Sequence, residues 1–203
     1  MAQGHSHRII FVRHGQTPYN AENRLQGQQD VPLNGKGREQ ASAVGRLLRR
    51  GFCEEIARLE AAGAFWASPL SRARQTMALM REAIGLPQAP VHIDIRLMEL
   101  TFGDWEGLTW DEVVARDPAG ARARAADKWR FRPPHGESYA DLVERVRPWL
   151  EERDGDVLVV AHGGVARAFM ALLADVPPLV AANADIWQGR ALIFERGGFF
   201  WEG

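Results

Sequence analysis

A chain of 203 residues, 46% hydrophobic and 25% charged, has the length and composition of one α/β domain with a full core. Its net charge of -1 offers no bulk field for nucleic acid or an acidic membrane surface, and no apolar run approaches the ~20 residues that span a bilayer. The single cysteine, Cys53, excludes an internal disulfide framework and a cysteine-rich zinc site, which fits a reducing cytoplasm.

The polar stretch from Met1 to Arg8 lacks the apolar region of a signal peptide, and His5-Ser6-His7 reads as a frayed terminus rather than a metal site. Ile9-Ile10-Phe11-Val12 then reads as a strand buried on both faces, stopping at Arg13-His14-Gly15. Gln16 to Asn34 has no apolar period and reads as a long loop, a length that in compact domains usually serves function. An amphipathic helix from Gly37 to Arg50 follows, with Ala41, Val44, Leu47 and Leu48 on one face and Gly51 as its stop. Glu54 to Ala62 extends it after a break.

Ala64-Phe65-Trp66-Ala67 is the next strand, and Ser68-Pro69-Leu70-Ser71 turns into a helix from Arg72 to Ile84 with Ser71 as its expected N-cap. Val91 to Ile95 reads as a third strand. Residues 96–134 are irregular, with Trp105, Trp110, Trp129 and Phe131 among glycines and charges and one short helix at Thr109 to Arg116. This segment reads as an excursion over the active edge. A helix opened by the Ser138 and Asp141 capping pair runs to Glu152, the strand Val157 to Val160 ends at Ala161-His162-Gly163, and a helix covers Val165 to Leu173. Ile186 to Trp201 reads as a hairpin around Gly197-Gly198. The alternation predicts a three-layer, doubly wound α/β fold: a mostly parallel sheet with helices on both faces, in a single domain over residues 1–203.

Two strands ending in histidines bring His14 and His162 to one sheet edge, where ligands bind in such sheets. Only Lys36 and Lys128 of the 25 basic residues are lysines, so an arginine is informative only by position. Arg72 has such a position, because a cation in a helix's first turn is disfavoured by ~0.3–1 kcal/mol unless an anion joins it. Two histidines with Arg13 and Arg72 point to a phosphate site in which an unprotonated imidazole is a competent nucleophile. Arg13, Arg72 and a protonated His162 would supply positive charge without a metal. A leaving oxygen also needs a proton from a carboxyl group, for which Glu99, Asp104, Glu106, Asp111 and Glu112 are all candidates.

Arg13-His14-Gly15, Gln26-Gly27 with Asp30-Val31-Pro32-Leu33, Ser68-Pro69-Leu70-Ser71-Arg72, Glu99 with Phe102-Gly103-Asp104-Trp105-Glu106-Gly107, Gly136-Glu137-Ser138 and Ala161-His162-Gly163 resemble, in order, the motifs of the histidine phosphatase (phosphoglycerate mutase-like) family. The resemblance implies that His14 becomes phosphohistidine, that Arg13, Arg72 and His162 complete the phosphate pocket, and that Glu99 is the general acid. It further implies ligand contacts at Asn20, Gln26 and Gly27 and a backbone amide from Gly163. Glu99-Leu100-Thr101-Phe102-Gly103 is similar to the hydrolytic branch, so the chain is expected to be a metal-independent phosphomonoester hydrolase. Its partner would be a small phosphorylated metabolite, with no cofactor, nucleic acid or membrane, and it would be a cytoplasmic monomer or homodimer. Phosphoglycerate mutase is the alternative, and a non-catalytic phospho-ligand binding protein a weaker one. Gln28 stands where relatives often have tryptophan.

Overall fold

The computed structural model describes residues 7–203, so His5 and Ser6 of the terminal histidine pair lie outside the described residues. The elements run β1 Ile9–Arg13, α1 Pro18–Ala21, α2 Gly35–Gly51, α3 Cys53–Ala61, β2 Phe65–Ala67, α4 Ser71–Ile84, β3 His92–Ile93, α5 Trp110–Arg116, α6 Pro118–Ala126, α7 Tyr139–Glu151, β4 Val157–Ala161, α8 Gly163–Leu173, α9 Pro178–Asn183, β5 Ala191–Glu195 and β6 Gly198–Glu202. Short 3-10 turns cover Ile95–Leu97 and Gly103–Trp105.

The strands form one sheet in the order β3-β2-β4-β1-β5-β6. β3, β2, β4 and β1 are parallel, and the β5-β6 hairpin closes that side antiparallel. Successive strand side chains point to opposite faces. Ile9, Ile10, Phe11 and Val12 are nevertheless all buried, so both faces of β1 are covered and the expected layered, mostly parallel sheet is what forms. α2 packs on α4 and α7 on α8. Phe11 meets Phe169 edge to face and Phe169 stacks on Trp149, a continuous aromatic row from sheet to helix with ring centroids 5.6 and 5.8 Å apart. No helix among the described residues is long and apolar enough to cross a membrane.

β1 and β4 are direct neighbours in register Arg13 to Ala161, so the next residues, His14 and His162, leave the sheet side by side. Gly15 does not have a left-handed backbone. It is required instead by close approach, since a Cβ there would stand 2.2 Å from the Gly37 carbonyl oxygen at the start of α2.

Several expected elements shift for identifiable reasons. The loop after β1 contains α1, capped reciprocally by Thr17 and Asn20, and α2 begins two residues early because Asn34 caps it through the Gly37 N–H. Ser71 is not an N-cap; Leu70 holds that place without a side-chain bond, and the Ser71 N–H is met by Asp30 across the loop at 2.7 Å. β3 is two residues long, and Ile95 already turns into a 3-10 helix. The hairpin starts at Ala191 rather than Ile186, and its turn is Arg196-Gly197, both at positive φ as a type I′ turn requires.

The excursion holds two helices, α5 and α6, around a small second core of Trp105, Val113 and Ala121. Phe131 stacks on Trp105 at 5.3 Å and Trp129 on Tyr139 at 5.7 Å, so these three aromatics pack. Trp110 is the one of the four left exposed. Backbone bonds from Leu25 to Leu108 and from Gly107 to Leu25 fasten the excursion to the loop after α1.

Candidate active site

At the end of β1 the His14 ring lies buried, its Nδ1 2.8 Å from the Gly15 carbonyl oxygen. A carbonyl only accepts, so Nδ1 carries the proton and the Nε2 lone pair is left for chemistry. Burial, with the Arg72 and Arg13 guanidiniums beside it, holds His14 well below the usual imidazole pKa. His14 is therefore a neutral base at physiological pH.

The His162 ring lies 5.1 Å from that of His14, centroid to centroid. Its Nε2 is 2.7 Å from Ser68 Oγ, and Ser68 Oγ also accepts the Leu70 N–H. Among the described residues the Ser68 hydroxyl has no other acceptor, so it donates to Nε2, which leaves the His162 proton on Nδ1. Burial first, then Arg72, His14, Arg13 and Arg145, push His162 well below its usual pKa. The charged His162 expected from sequence thus needs an anion beside it to offset these neighbours.

Arg72, in the first turn of α4, is fully buried rather than solvated. Its two terminal nitrogens donate to the carbonyls of Gln29 and Gly27 at 2.7 and 2.6 Å, which aims the guanidinium across the loop. Burial lowers it to about 10, still a cation at neutral pH. Thr76, one turn on, accepts the Gly15 N–H at 3.0 Å and donates to the Arg72 carbonyl at 2.7 Å, locking α4 to the end of β1. Arg13 donates to the Ile186 carbonyl at 2.6 Å. Arg13 Nε, Arg72 Nε and His162 Nδ1 share one property: each is buried without a hydrogen-bond partner. Leaving such a group unmet costs ~1–3 kcal/mol. Three of them around His14 describe a cradle for acceptor oxygens.

Glu99 follows the 3-10 turn at Ile95–Leu97 and sits on the start of α8, both its oxygens 3.0 Å from the Gly164 N–H. Its charge acts on both Arg13 and Arg72, so the acid belongs to the same site. Gly163 is the first residue of α8. The other acids divide differently: Glu106 accepts bonds from Gln28, Thr101 and Phe102 and is committed to loop structure, and Glu112 caps α5.

Of the expected ligand contacts, Asn20 and Gln26 both bond Thr17, and Gly27 offers its carbonyl to Arg72. Gly27 must be glycine, having φ +53° and a Cβ position 2.0 Å from Glu106 Oε1. Gln28 takes a positioning job, its Nε2 donating to the Glu99 carbonyl at 3.0 Å. Sequence reasoning missed three supports. Ser68 orients His162, Gln188 donates to the His14 carbonyl and Asn20 Oδ1, and Arg145 of α7 donates to the carbonyls of Arg96, Met98 and Glu99 while paired with Glu137. Ser68 lies inside a quoted motif, whereas Gln188 and Arg145 carry no local signal.

A neutral imidazole with a free Nε2 beside two guanidiniums, on which the charge of a carboxyl group also acts, is a site for phosphoryl-group chemistry. The model of the histidine phosphatase superfamily, branch 1, matches residues 9–195. The glucosyl-3-phosphoglycerate phosphatase of Mycolicibacterium vanbaalenii is 38% identical over 182 residues, 84% of this chain and 75% of that protein. The 2,3-bisphosphoglycerate-dependent phosphoglycerate mutase 2 of Gloeobacter violaceus is 35% identical over 196 residues, 93% and 85% of the two chains. Among solved structures, a mycobacterial glucosyl-3-phosphoglycerate phosphatase in complex with VO3 superposes with a TM-score of 0.74 at 30% identity, covering 97% of each chain. The chain belongs to the histidine phosphatase superfamily and is a phosphatase of it.

Proposed function

We propose that this phosphatase is a metal-independent phosphomonoester hydrolase that turns over small phosphorylated metabolites through a phosphohistidine on His14. The observation that carries the reading is the group of buried nitrogens without acceptors, Arg13 Nε, Arg72 Nε and His162 Nδ1, around a neutral His14. Phosphoryl oxygens would satisfy all three, and the guanidiniums would take the charge that a metal carries elsewhere.

His14 Nε2 attacks phosphorus as the bond to the leaving oxygen breaks, and Glu99 gives that oxygen its proton. Glu99, now a carboxylate, takes a proton from water; the water oxygen attacks phosphorus, the P–N bond breaks, and inorganic phosphate leaves. Asn20, Gln26, Gly27 and the Gly163 amide border the pocket in this reading. Residues 96–134 form part of the same single domain and cover the site, and the enzyme works in the cytoplasm as a monomer or homodimer.

Glucosyl-3-phosphoglycerate, acted on by the mycobacterial relatives, belongs to the substrate class expected here, a phosphate ester of a small polar metabolite. The mutase relatives keep a second reading open, which exchange between phosphoglycerate isomers after bisphosphate priming would support. Intact-mass analysis after rapid quench should find an acid-labile phosphoryl group in the wild type and none in His14→Ala, with EDTA leaving p-nitrophenyl phosphate turnover unaltered. Full turnover by His14→Ala sinks the proposal.

A further inference from the structure

The side chain and the main chain of Glu99 are held by different parts of the molecule. Its carboxyl oxygens take the Gly164 N–H at the start of α8, whereas its carbonyl oxygen takes two side-chain donors, Gln28 Nε2 at 3.0 Å and Arg145 Nη2 at 3.3 Å. Gln28 lies 71 residues before Glu99 and Arg145 lies 46 residues after it.

Arg145 has no donor left over. A guanidinium carries five N–H donors in a fixed plane. Nε and Nη2 of Arg145 meet the two oxygens of Glu137 at 2.9 Å each, and its other donors go to the carbonyls of Arg96, Met98 and Glu99. Glu137 balances the charge, accepts the Thr101 N–H and donates its own N–H to the Thr101 carbonyl. The chain from Arg96 to Thr101 is thereby laid along one ion pair. A lysine in this place would keep the charge and lose the planar fork that reaches so many acceptors.

Gln28 grips the same carbonyl from the phosphate side. Its own N–H goes to Glu106 Oε1 at 2.9 Å, and the carbonyls of its two neighbours, Gly27 and Gln29, are the acceptors that seat Arg72 at 2.6 and 2.7 Å. Three consecutive residues therefore tie a guanidinium of the phosphate cradle to the main chain of the acid. Glu106 also accepts the Thr101 hydroxyl and the Phe102 N–H just beyond Glu99, so the two segments are joined a second time.

We propose that Gln28 and Arg145 form a two-sided clamp on the Glu99 main chain and are positioning residues for delivery of the proton to the leaving oxygen. Arg145 sets the path of the segment that carries the acid. Gln28 sets the distance of that segment from Arg72, and so from the phosphoryl group. Both act through Glu99 and neither supplies the proton. The proposal rests on the phosphatase reading above, in which Glu99 is the general acid. A displacement of about 1 Å in a catalytic group can cost about a hundredfold in rate.

The test compares kcat/KM for benzyl phosphate, whose leaving oxygen needs a proton, with kcat/KM for p-nitrophenyl phosphate, whose phenolate departs without one. The benzyl-to-nitrophenyl ratio is taken within one protein, so a loss of folded enzyme does not move it. Gln28→Met keeps the length and removes the donor, and it should lower the ratio about tenfold; Arg145→Lys should lower it by about tenfold to a hundredfold. In a Glu99→Gln background, with no carboxyl proton to deliver, the same substitutions should leave the ratio where Glu99→Gln alone puts it. A ratio unmoved by either substitution, or one lowered equally with and without Glu99, overturns the clamp. If Arg145→Lys does not fold, Glu137→Gln, which withdraws one acceptor from the fork, is measured in its place with the same direction expected. If the wild type does not hydrolyse p-nitrophenyl phosphate, the phosphatase reading fails; if Glu99→Gln leaves the ratio unaltered, its assignment of the acid fails. In both cases the clamp falls with it, whereas a response to Glu99→Gln alone sinks the clamp and spares the reading.

Discussion

Ser68 Oγ and His162 Nε2 lie 2.7 Å apart although 94 residues separate them in the chain. The two meet because β2 and β4 are neighbours in register, with Ala67 opposite Val160, so both strands end at the same level. The contact occupies Nε2 and leaves the buried Nδ1 without a partner, the nitrogen that would donate to a phosphoryl oxygen in the proposed reaction.

Ser68→Ala removes that contact. His162 can then take either tautomer, and a buried nitrogen loses its partner, a cost of ~1–3 kcal/mol. We expect kcat/KM for p-nitrophenyl phosphate to fall roughly tenfold to hundredfold by the corresponding energy. Steady-state kinetics on folded protein tests this, and unchanged kinetics would remove Ser68 from the mechanism.

Glu99→Gln separates two jobs. An alkyl leaving group needs a proton to depart, whereas p-nitrophenolate departs readily without one. Turnover of an alkyl phosphate should therefore drop by about 10²–10⁴, the usual size of general acid-base catalysis, with a smaller drop in formation of phosphohistidine from the aryl ester. The second step also loses its base, so phosphohistidine should accumulate during aryl turnover. An equal loss on both substrates without accumulation would assign Glu99 a structural role.

The buried histidines make stability depend on pH. His14 and His162 have folded pKa values well below 6.5, so below pH ~6.5 the unfolded chain binds protons that the folded chain refuses. Stability is then retained above that pH and lost as pH falls, with a slope approaching ~1.4 kcal/mol per unit for each histidine. Melting temperature measured from pH 7 to pH 5 should decline, and less steeply in His162→Gln. An identical decline in that variant would locate the effect elsewhere.

Much of the fold was legible in the sequence because burial leaves a local trace. Ile9 to Val12 and Val157 to Val160 are unbroken apolar runs, the mark of strands covered on both faces. The period of Ala41, Val44 and Leu48 marked α2. Helices α6 and α9 left no such trace: they bury only Ala121 and the pair Ala181 and Ala182, so no apolar stripe exists to be read. Their start signals, Asp117-Pro118 and Pro177-Pro178, were present but short. Ser71 misled because an expected side-chain cap was supplied by Asp30, 41 residues away.

By itself, the sequence determined the strand ends that deliver Arg13, His14 and His162, the helix start that carries Arg72, and the run of motifs that marks the family. All of these are local patterns, read within a few residues of each other. Only the tertiary structure decided that Arg72 is buried against the Gly27 and Gln29 carbonyls, that Ser68 meets His162, and that Arg145 holds the Glu99 loop. Each of these depends on strand order and helix packing across tens of residues. No periodicity within one segment encodes such a meeting, because the partners share a place in the sheet and not a stretch of chain.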